Sequence, residues 1–391
     1  MGGMADARDL DLVLLGATGF TGGLTAQYLA EHGPTGLRWA LAGRNREKLE
    51  QVRERLGADH GELELLVVDA SDQASLADVV RRAKVAVTTV GPYQQLGGPL
   101  VAACAETGTD YVDLTGEPEF VDRTYLDHHA TAVRTGARIV HACGFDSIPH
   151  DLGAYFTVQQ LRPTGPVRMR GVVRAAGTFS GGTFHSALGA FSRAKQMGAT
   201  AKERRAAQGR PTDGRSSRPV GGKPQRDKVL GRWLLPLPTI DPQVVARSGA
   251  ALPVYGPEFR YAHFAGLKTL RYTAGAMVGV GALGVAAQVP PVRNLLLKKV
   301  PQGSGPDEAK RAKSWFTVDF VAETDGRTLH TRVSGGDPGY DETAKMLAES
   351  ALCLAFDDNP ATAGSVTTAQ AMGDNLLARL QARGITFAVV D

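Results

Sequence analysis

Apolar and polar positions keep one rhythm up to about residue 150 and a different one afterwards. In the first part, short apolar runs alternate with stretches of helical spacing. Leu10–Leu15 (LDLVLL) is a run of strand length, and in the LTAQYLAEHG that follows, Leu24, Tyr28 and Leu29 fall at helical spacing before Gly33. The same alternation predicts strands over 37–42, 63–68, 85–90, 111–114 and 137–141. Helices are predicted between them over 73–83, Gly98–Thr107 and 118–134. Strands that alternate with helices build an α/β, Rossmann-type doubly wound parallel sheet. Beyond Gly153 the pattern shortens to period two. Residues 167–176 (VRMRGVVRAA) read as a half-buried antiparallel strand, and 315–323 with 327–333 read as a hairpin around Thr324-Asp325-Gly326. Gly181-Gly182-Thr183 is expected to open a helix reaching about residue 197, with Thr183 as its cap, and further helices are read over 340–355 and 370–383. This second part is expected to be an α+β domain on a largely antiparallel sheet.

The balance of 43% apolar and 21% charged residues in 391 is that of a globular chain, long enough for two domains. A formal net charge of +4 asks for no nucleic-acid partner. Cys104, Cys143 and Cys353 lie far apart without ligand spacing, which points to a reducing compartment and no metal site. The opening MGGMADARDLDL carries acids where an export signal needs a basic start, so the cytoplasm is the expected location. Two stretches stand out. Residues 193–232 are rich in Lys and Arg and poor in acids; they read as a flexible solvated insertion or as a docking surface for an acidic partner. Residues 272–289 (YTAGAMVGVGALGVAAQV) carry no charge and end in Pro290-Pro291. A buried or partly buried hairpin-like helical segment is the first reading, a peripheral lipid-facing surface the second, and a true span is not expected.

Candidate chemistry begins at Gly16-Ala17-Thr18-Gly19-Phe20-Thr21-Gly22, a GxxGxxG run set between a strand and a helix. Glycines let backbone approach a pyrophosphate, and a helix N-terminus offers it free N–H groups, so these residues are the expected dinucleotide cradle. The second strand ends in Ala42-Gly43-Arg44-Asn45-Arg46 with no acid to hold a ribose hydroxyl. Arg44 can pair a 2′-phosphate instead, which favours NADPH; Arg44 and Arg46 also read simply as solvated helix-start residues. Asp69 ends the third strand, near the expected adenine, and Gly91-Pro92-Tyr93 ends the fourth, near the expected nicotinamide.

LGATGFTGGLTAQYLA, LAGRNREKLE, VGPYQQLGGPLVAACAETGTDYVDLTGE and HACGFDSIPHDLG resemble the saccharopine dehydrogenase-like oxidoreductases, and within them the actinobacterial trans-acting enoyl reductases. SGGTFHSAL, GPDEAKRAKSWF, SGGDPGYDETAKMLAESALCLA and AMGDNLLARLQARGITFAVV extend the resemblance over nearly the whole chain. GSVTTAQAMG (364–373) departs from the proline-containing run usual there. The resemblance implies an NADPH-binding domain over 1–150, completed by helices of about 340–391, and a substrate domain over 151–339. It also implies reduction of an enoyl thioester in polyketide-type lipid synthesis; the charge of 193–232 separately suits an acidic acyl carrier protein bearing the substrate, or an anionic lipid face. Alternatives are a saccharopine-type reductase of an imine or amino-acid adduct, for which Arg168, Arg170 and Arg174 are candidate carboxylate binders, and a lipid-associated nucleotide-binding protein without catalysis. The oligomeric state stays open, a dimer among the options.

Conjugate reduction needs donors for an enolate oxygen and a proton for the α-carbon. Tyr93 is the favoured proton donor, with Asp146, Ser147 and His185 as further catalytic candidates at the same mouth. Asp113, Thr115 and Glu117 read as caps of the next helix. Asp146-Ser147 ahead of Pro149 read equally as a helix start with Ser147 as cap, and His141 and His150 as structural histidines.

Overall fold

Leu10–Leu15 (β1) is buried along its whole length, as a parallel strand covered on both faces requires. Its one acid, Asp11, is tolerated because Arg38 and Lys84 both lie 2.9 Å from Oδ1. Burial pushes that carboxyl up, but hydrogen bonds from Arg38 and Lys84 outweigh it and bring the pKa down to about 2. The computed structural model describes residues 8–177, 188–189, 191–299 and 305–390. Trp39–Gly43 (β2), Glu64–Val67 (β3), Ala83–Thr88 (β4), Asp110–Asp113 (β5) and Arg138–Val140 (β6) follow β1. They are linked by α1 (Phe20–His32), α2 (Arg46–Arg55), α3 (Gln73–Arg81), α4 (Tyr93–Leu96), α5 (Gly98–Thr107) and α6 (Pro118–Thr135). Every pairing in this sheet is parallel.

The strand order is β14-β6-β5-β4-β1-β2-β3, so the connection reverses direction between β1 and β4. The seventh strand, Gly364–Val366 (β14), pairs with β6 and was not expected. Three residues carry no readable periodicity. It lies in the stretch that departs from the family pattern, where Thr367 and Gln370 form a capping box and start the next helix without a proline. Helix Asp341–Phe356 packs on α1 and on β1, β4 and β5. Its buried Glu349 is held by the Tyr28 hydroxyl at 2.8 Å and Arg379 at 3.0 Å.

Contacts among the described residues divide the chain into two units, the first of Met1–Phe145, Gly303–Gly305 and Tyr340–Arg379, the second of Asp146–Gln302, Pro306–Gly339 and Leu380–Asp391. The second begins with α7 (Ile148–Leu161) and is built on eight strands. Val167–Ala176 (β7), Ser216–Pro219 (β8), Gln225–Arg226 (β9), Trp233–Pro236 (β10), Glu258–Leu267 (β11), Trp315–Thr324 (β12), Arg327–Gly335 (β13) and Thr386–Val389 (β15) make up this sheet. Its order is β15-β13-β12-β7-β11-β10-β9, with β8 on β11. The sheet is mixed: β7 is antiparallel to β12, as expected, but parallel to β11. Alternation along one strand cannot separate the two cases, since both have period two. The β12–β13 hairpin turns at Asp325 (φ 48) and Gly326 (φ 75), the two left-handed residues of a two-residue turn.

Three expectations need correction. The C-terminal residues do not all return to the nucleotide-binding unit, because β15 pairs with β13 as an edge strand of the second sheet. Residues 193–232 are not without regular structure: helix Ala194–Gln208 is followed by β8 and β9, and buried Asp227 receives Arg170 Nε at 2.5 Å. The apolar segment is helical, over Leu270–Gln288, but it is not buried; Tyr272, Val278 and Val285 are 67%, 72% and 69% exposed.

Candidate functional site

The glycine run is shaped from both sides. Gly16 sits at φ +88, where a side chain is strained, and its N–H donates to the Ala42 carbonyl at 3.1 Å. Its own carbonyl accepts from the Gly19 N–H at 2.9 Å and the Thr89 hydroxyl at 3.2 Å. A Cβ on Gly22 would lie 2.1 Å from that carbonyl oxygen, so only glycine lets α1 start this close to the turn. Gly19 occupies the N-cap of α1 without a side chain, and the N–H groups of the first turn have no intrahelical acceptor. Thr18 and Gly19 are exposed, Thr21 half-buried, and the Phe20 ring packs edge-on against Tyr340 at 4.9 Å. The structure thus divides the run: Gly16 and Gly22 build the turn, while Thr18, Gly19 and Thr21 sit at its accessible rim. The turn lies at the carboxyl ends of β1 and β4, the reversal point where open α/β sheets bind ligands.

Arg44, just past β2, is exposed and makes no hydrogen bond or ion pair among the described residues. Its neighbours are occupied. Asn45 Oδ1 accepts from the Lys48 N–H at 2.8 Å and caps α2, a structural use of a residue expected to touch cofactor. Arg46 pairs with Glu50 at 3.1 Å. Asp69 Oδ1 accepts from Ser71 N–H at 2.8 Å and Ser71 Oγ at 2.7 Å. Those bonds, and then the charge of Arg44, hold the Asp69 carboxyl below the ordinary carboxylate range. An exposed, uncommitted guanidinium with no acid at the β2 end suits a 2′-phosphate and would meet nothing on a bare ribose.

At the ends of β4, β5 and β6 the expected chemistry is largely internal. Pro92 caps α4, after a cis Gly91–Pro92 peptide. Tyr93 is buried; its hydroxyl donates to the Thr88 carbonyl and accepts from the Leu114 N–H, each at 3.2 Å. A proton donor to substrate needs that hydroxyl free to turn outward, so the geometry makes Tyr93 a tie between β4 and β5 instead. Tyr93→Phe should cost roughly 1–2 kcal/mol of stability in thermal unfolding and leave the pH profile of NADPH-dependent turnover in place. A lost titration limb would restore the donor role.

Glu117 does not cap the helix it precedes. Its two carboxylate oxygens accept from the N–H groups of Tyr93 at 3.1 Å and Gln94 at 2.9 Å, in the first turn of α4. Asp113 is wholly buried and serves four groups: the Tyr111 hydroxyl at 2.9 Å, His141 Nδ1 at 2.7 Å, and the N–H groups of Thr115 at 3.0 Å and Ala142 at 2.8 Å. His141 passes the chain on to the Thr124 hydroxyl at 3.0 Å. Ala142 takes φ +60, a conformation costly for a residue with a Cβ. Its bond to Asp113 holds it there.

The remainder of HACGFDSIPHDLG opens the second unit. Asp146 is half-buried. Ser147 stands at the N-cap of α7 as expected, but its side chain caps nothing; Oγ is buried without a hydrogen-bond partner among the described residues. His150 Nδ1 lies 2.7 Å from Asp241, and His263 Nε2 lies 3.8 Å from the same carboxylate. Burial pushes the Asp241 carboxyl up, yet the two imidazoles prevail and leave it below the ordinary range; burial takes His263 down to about 4. The ligating atoms of these three side chains lie within 4.8 Å of one another, a cluster that sequence spacing had hidden. Asp151 Oδ1 accepts from the Ser248 hydroxyl at 2.6 Å. His185, and the helix start expected at Gly181-Gly182-Thr183, lie outside the described residues.

A parallel sheet in this strand order, with a clamped glycine turn and a free arginine after β2, defines a dinucleotide-dependent oxidoreductase. The model of the saccharopine dehydrogenase NADP-binding domain matches residues 12–140. Rv2449c of Mycobacterium tuberculosis, whose name carries the words trans-acting enoyl reductase, is 38% identical over 98% of both chains. The trans-acting enoyl reductase of Mycobacterium ulcerans is 35% identical over 97% of both. Among solved structures, saccharopine dehydrogenase (L-Glu forming) of Saccharomyces cerevisiae shares the fold, with a TM-score of 0.57 at 12% identity over 98% of this chain and 100% of that one. The chain belongs to the saccharopine dehydrogenase-like oxidoreductases, in the group of the trans-acting enoyl reductases, and is an enzyme that uses NADP(H).

Proposed function

We propose that this enzyme reduces the conjugated double bond of an enoyl thioester in lipid or polyketide synthesis. The observation that carries the reading is likeness along almost the entire chain to proteins named trans-acting enoyl reductase. Bound NADPH would supply the hydride to the β-carbon. The chain's part is to hold the pyrophosphate at the Gly16–Gly22 turn and the 2′-phosphate at Arg44, and to donate hydrogen bonds where charge develops. Tyr93, Asp113, Glu117 and His141 are committed to the scaffold by their own hydrogen bonds.

The reading of an imine or amino-acid adduct is weaker on a specific ground. Arg170 is spent on Asp227 and on Glu323 at 2.7 Å, while Arg174 bonds Thr317 at 3.2 Å and lies over the Trp315 ring. An acidic acyl carrier protein as substrate bearer is favoured by Arg205, Arg210, Arg218, Lys223, Arg226 and Lys228, all exposed on 194–228. The test is loss of nicotinamide absorbance with an enoyl thioester, compared with lysine plus a 2-oxo acid. Turnover with the enoyl thioester alone is expected. Turnover only with the amino-acid pair would reverse the assignment.

A further inference from the structure

The longest apolar helix among the described residues lies open on the surface of the second unit. Helix Leu270–Gln288 has a best 18-residue window of mean hydropathy 1.3, of which 11% is buried. A core helix of this composition would be covered. Here Leu270, Tyr272, Met277, Val278 and Val285 are all exposed, and Val278 and Val285, seven apart, share a face. Helix Pro290–Lys299 follows directly, has no buried residue, and adds exposed Val292 and Leu295. So large a patch on an otherwise ordinary surface marks an interaction site.

Charge indicates what covers it. From Phe259 to Pro306 the chain holds no Asp or Glu. Lys268 and Arg271 flank the start of the apolar helix, and Arg293, Lys298 and Lys299 follow its end; none makes an ion pair among the described residues. Apolar surface bracketed by unpaired cations matches the boundary between acyl chains and anionic headgroups. An acidic protein surface would answer the cations and leave the apolar face unmet.

Topology then limits how deep the segment goes. The chain enters it from β11 and returns to β12, and both strands are hydrogen-bonded to β7. One crossing would part β11 from β12 by a hydrocarbon core of about 30 Å, which this sheet forbids. The ten residues of Pro290–Lys299 rise only about 15 Å and cannot supply a second crossing. We infer that residues 268–299 form a monotopic anchor, a helical hairpin seated in one leaflet of an anionic bilayer with its lysines and arginines at the headgroups. The inference stands apart from the proposed reaction.

The test is co-sedimentation of the full-length protein with vesicles of phosphatidylcholine, with and without phosphatidylserine. Binding to the phosphatidylserine vesicles is expected to exceed that to phosphatidylcholine at least tenfold and to weaken with salt. Val278→Glu with Val285→Glu, and separately Arg293→Glu with Lys298→Glu and Lys299→Glu, should each remove most of it. NADPH affinity and thermal midpoint stay unchanged in both sets, since every substituted residue is exposed or half-buried. Equal binding to both compositions overturns the anionic assignment. Failure to bind either, or a stable dimer in solution that the two valine substitutions convert to monomer, overturns the anchor and gives the face to a second copy of the chain.

Discussion

Gly22→Ala is expected to destroy the cofactor site and loosen the first unit together. The added methyl would sit 2.1 Å from the Gly16 carbonyl oxygen and 2.7 Å from the Thr89 hydroxyl, and a methyl on backbone has no rotamer with which to escape. α1 must therefore withdraw from the turn, at a cost of roughly 1–3 kcal/mol or more. That lowers the thermal midpoint by several degrees, and NADPH affinity falls at least tenfold because helix start and glycine turn no longer share one geometry. Gly19→Ala separates the two effects. Its Cβ would meet the Gly16 carbonyl oxygen at 3.4 Å, an ordinary contact, and its φ of −81° suits any residue. The midpoint should hold while NADPH affinity drops about tenfold, the methyl now standing where backbone must approach the pyrophosphate. Titration of NADPH beside thermal unfolding reads both. A Gly22→Ala protein with the wild-type midpoint and affinity would end the close-packing account.

The second large effect is expected at Arg44. A charge-assisted bond to phosphate is worth about 1.5–3 kcal/mol, so Arg44→Ala should raise the KM for NADPH roughly 10- to 150-fold. NADH has no group there for Arg44 to hold, and its KM should stay within about twofold. Arg44→Glu goes further: repulsion of the 2′-phosphate raises the KM for NADPH again, and the new carboxylate can accept from ribose hydroxyls. The ratio of kcat/KM for the two cofactors is the measurement. Equal losses with both would mean that Arg44 acts through the fold. Its exposure and lack of partners among the described residues argue for the phosphate instead.

The first sheet was legible because its signals are local. LDLVLL, the glycine run and the helical spacing after it each record, within about twenty residues, a backbone preference and a buried face. The Asp325-Gly326 turn was legible for the same reason, since two left-handed residues leave a chemical mark. β14 was missed at three residues, and the parallel neighbour of β7 was missed because alternation has no sense of strand direction. At the candidate site, the glycine run and Arg44 stood out from local pattern alone. The uses of Tyr93, Glu117 and Asn45 did not, since each depends on which backbone group lies beside it.

Sequence alone determined the alternation of strand and helix, the glycine turn between β1 and α1, and a domain that takes NADP(H), all of them properties of neighbouring residues. Tertiary structure decided the rest. It set Glu117 on the first turn of α4 and Asp113 among Tyr111, His141 and the strained Ala142, and it joined His150 to Asp241 across 91 positions of chain. It also left Leu270–Gln288 in the open, although its composition would serve equally well in a core. Hydrogen-bond partners and exposure belong to pairs of segments brought together by topology, and one segment's pattern records only its own apolar face, not what the fold sets against it.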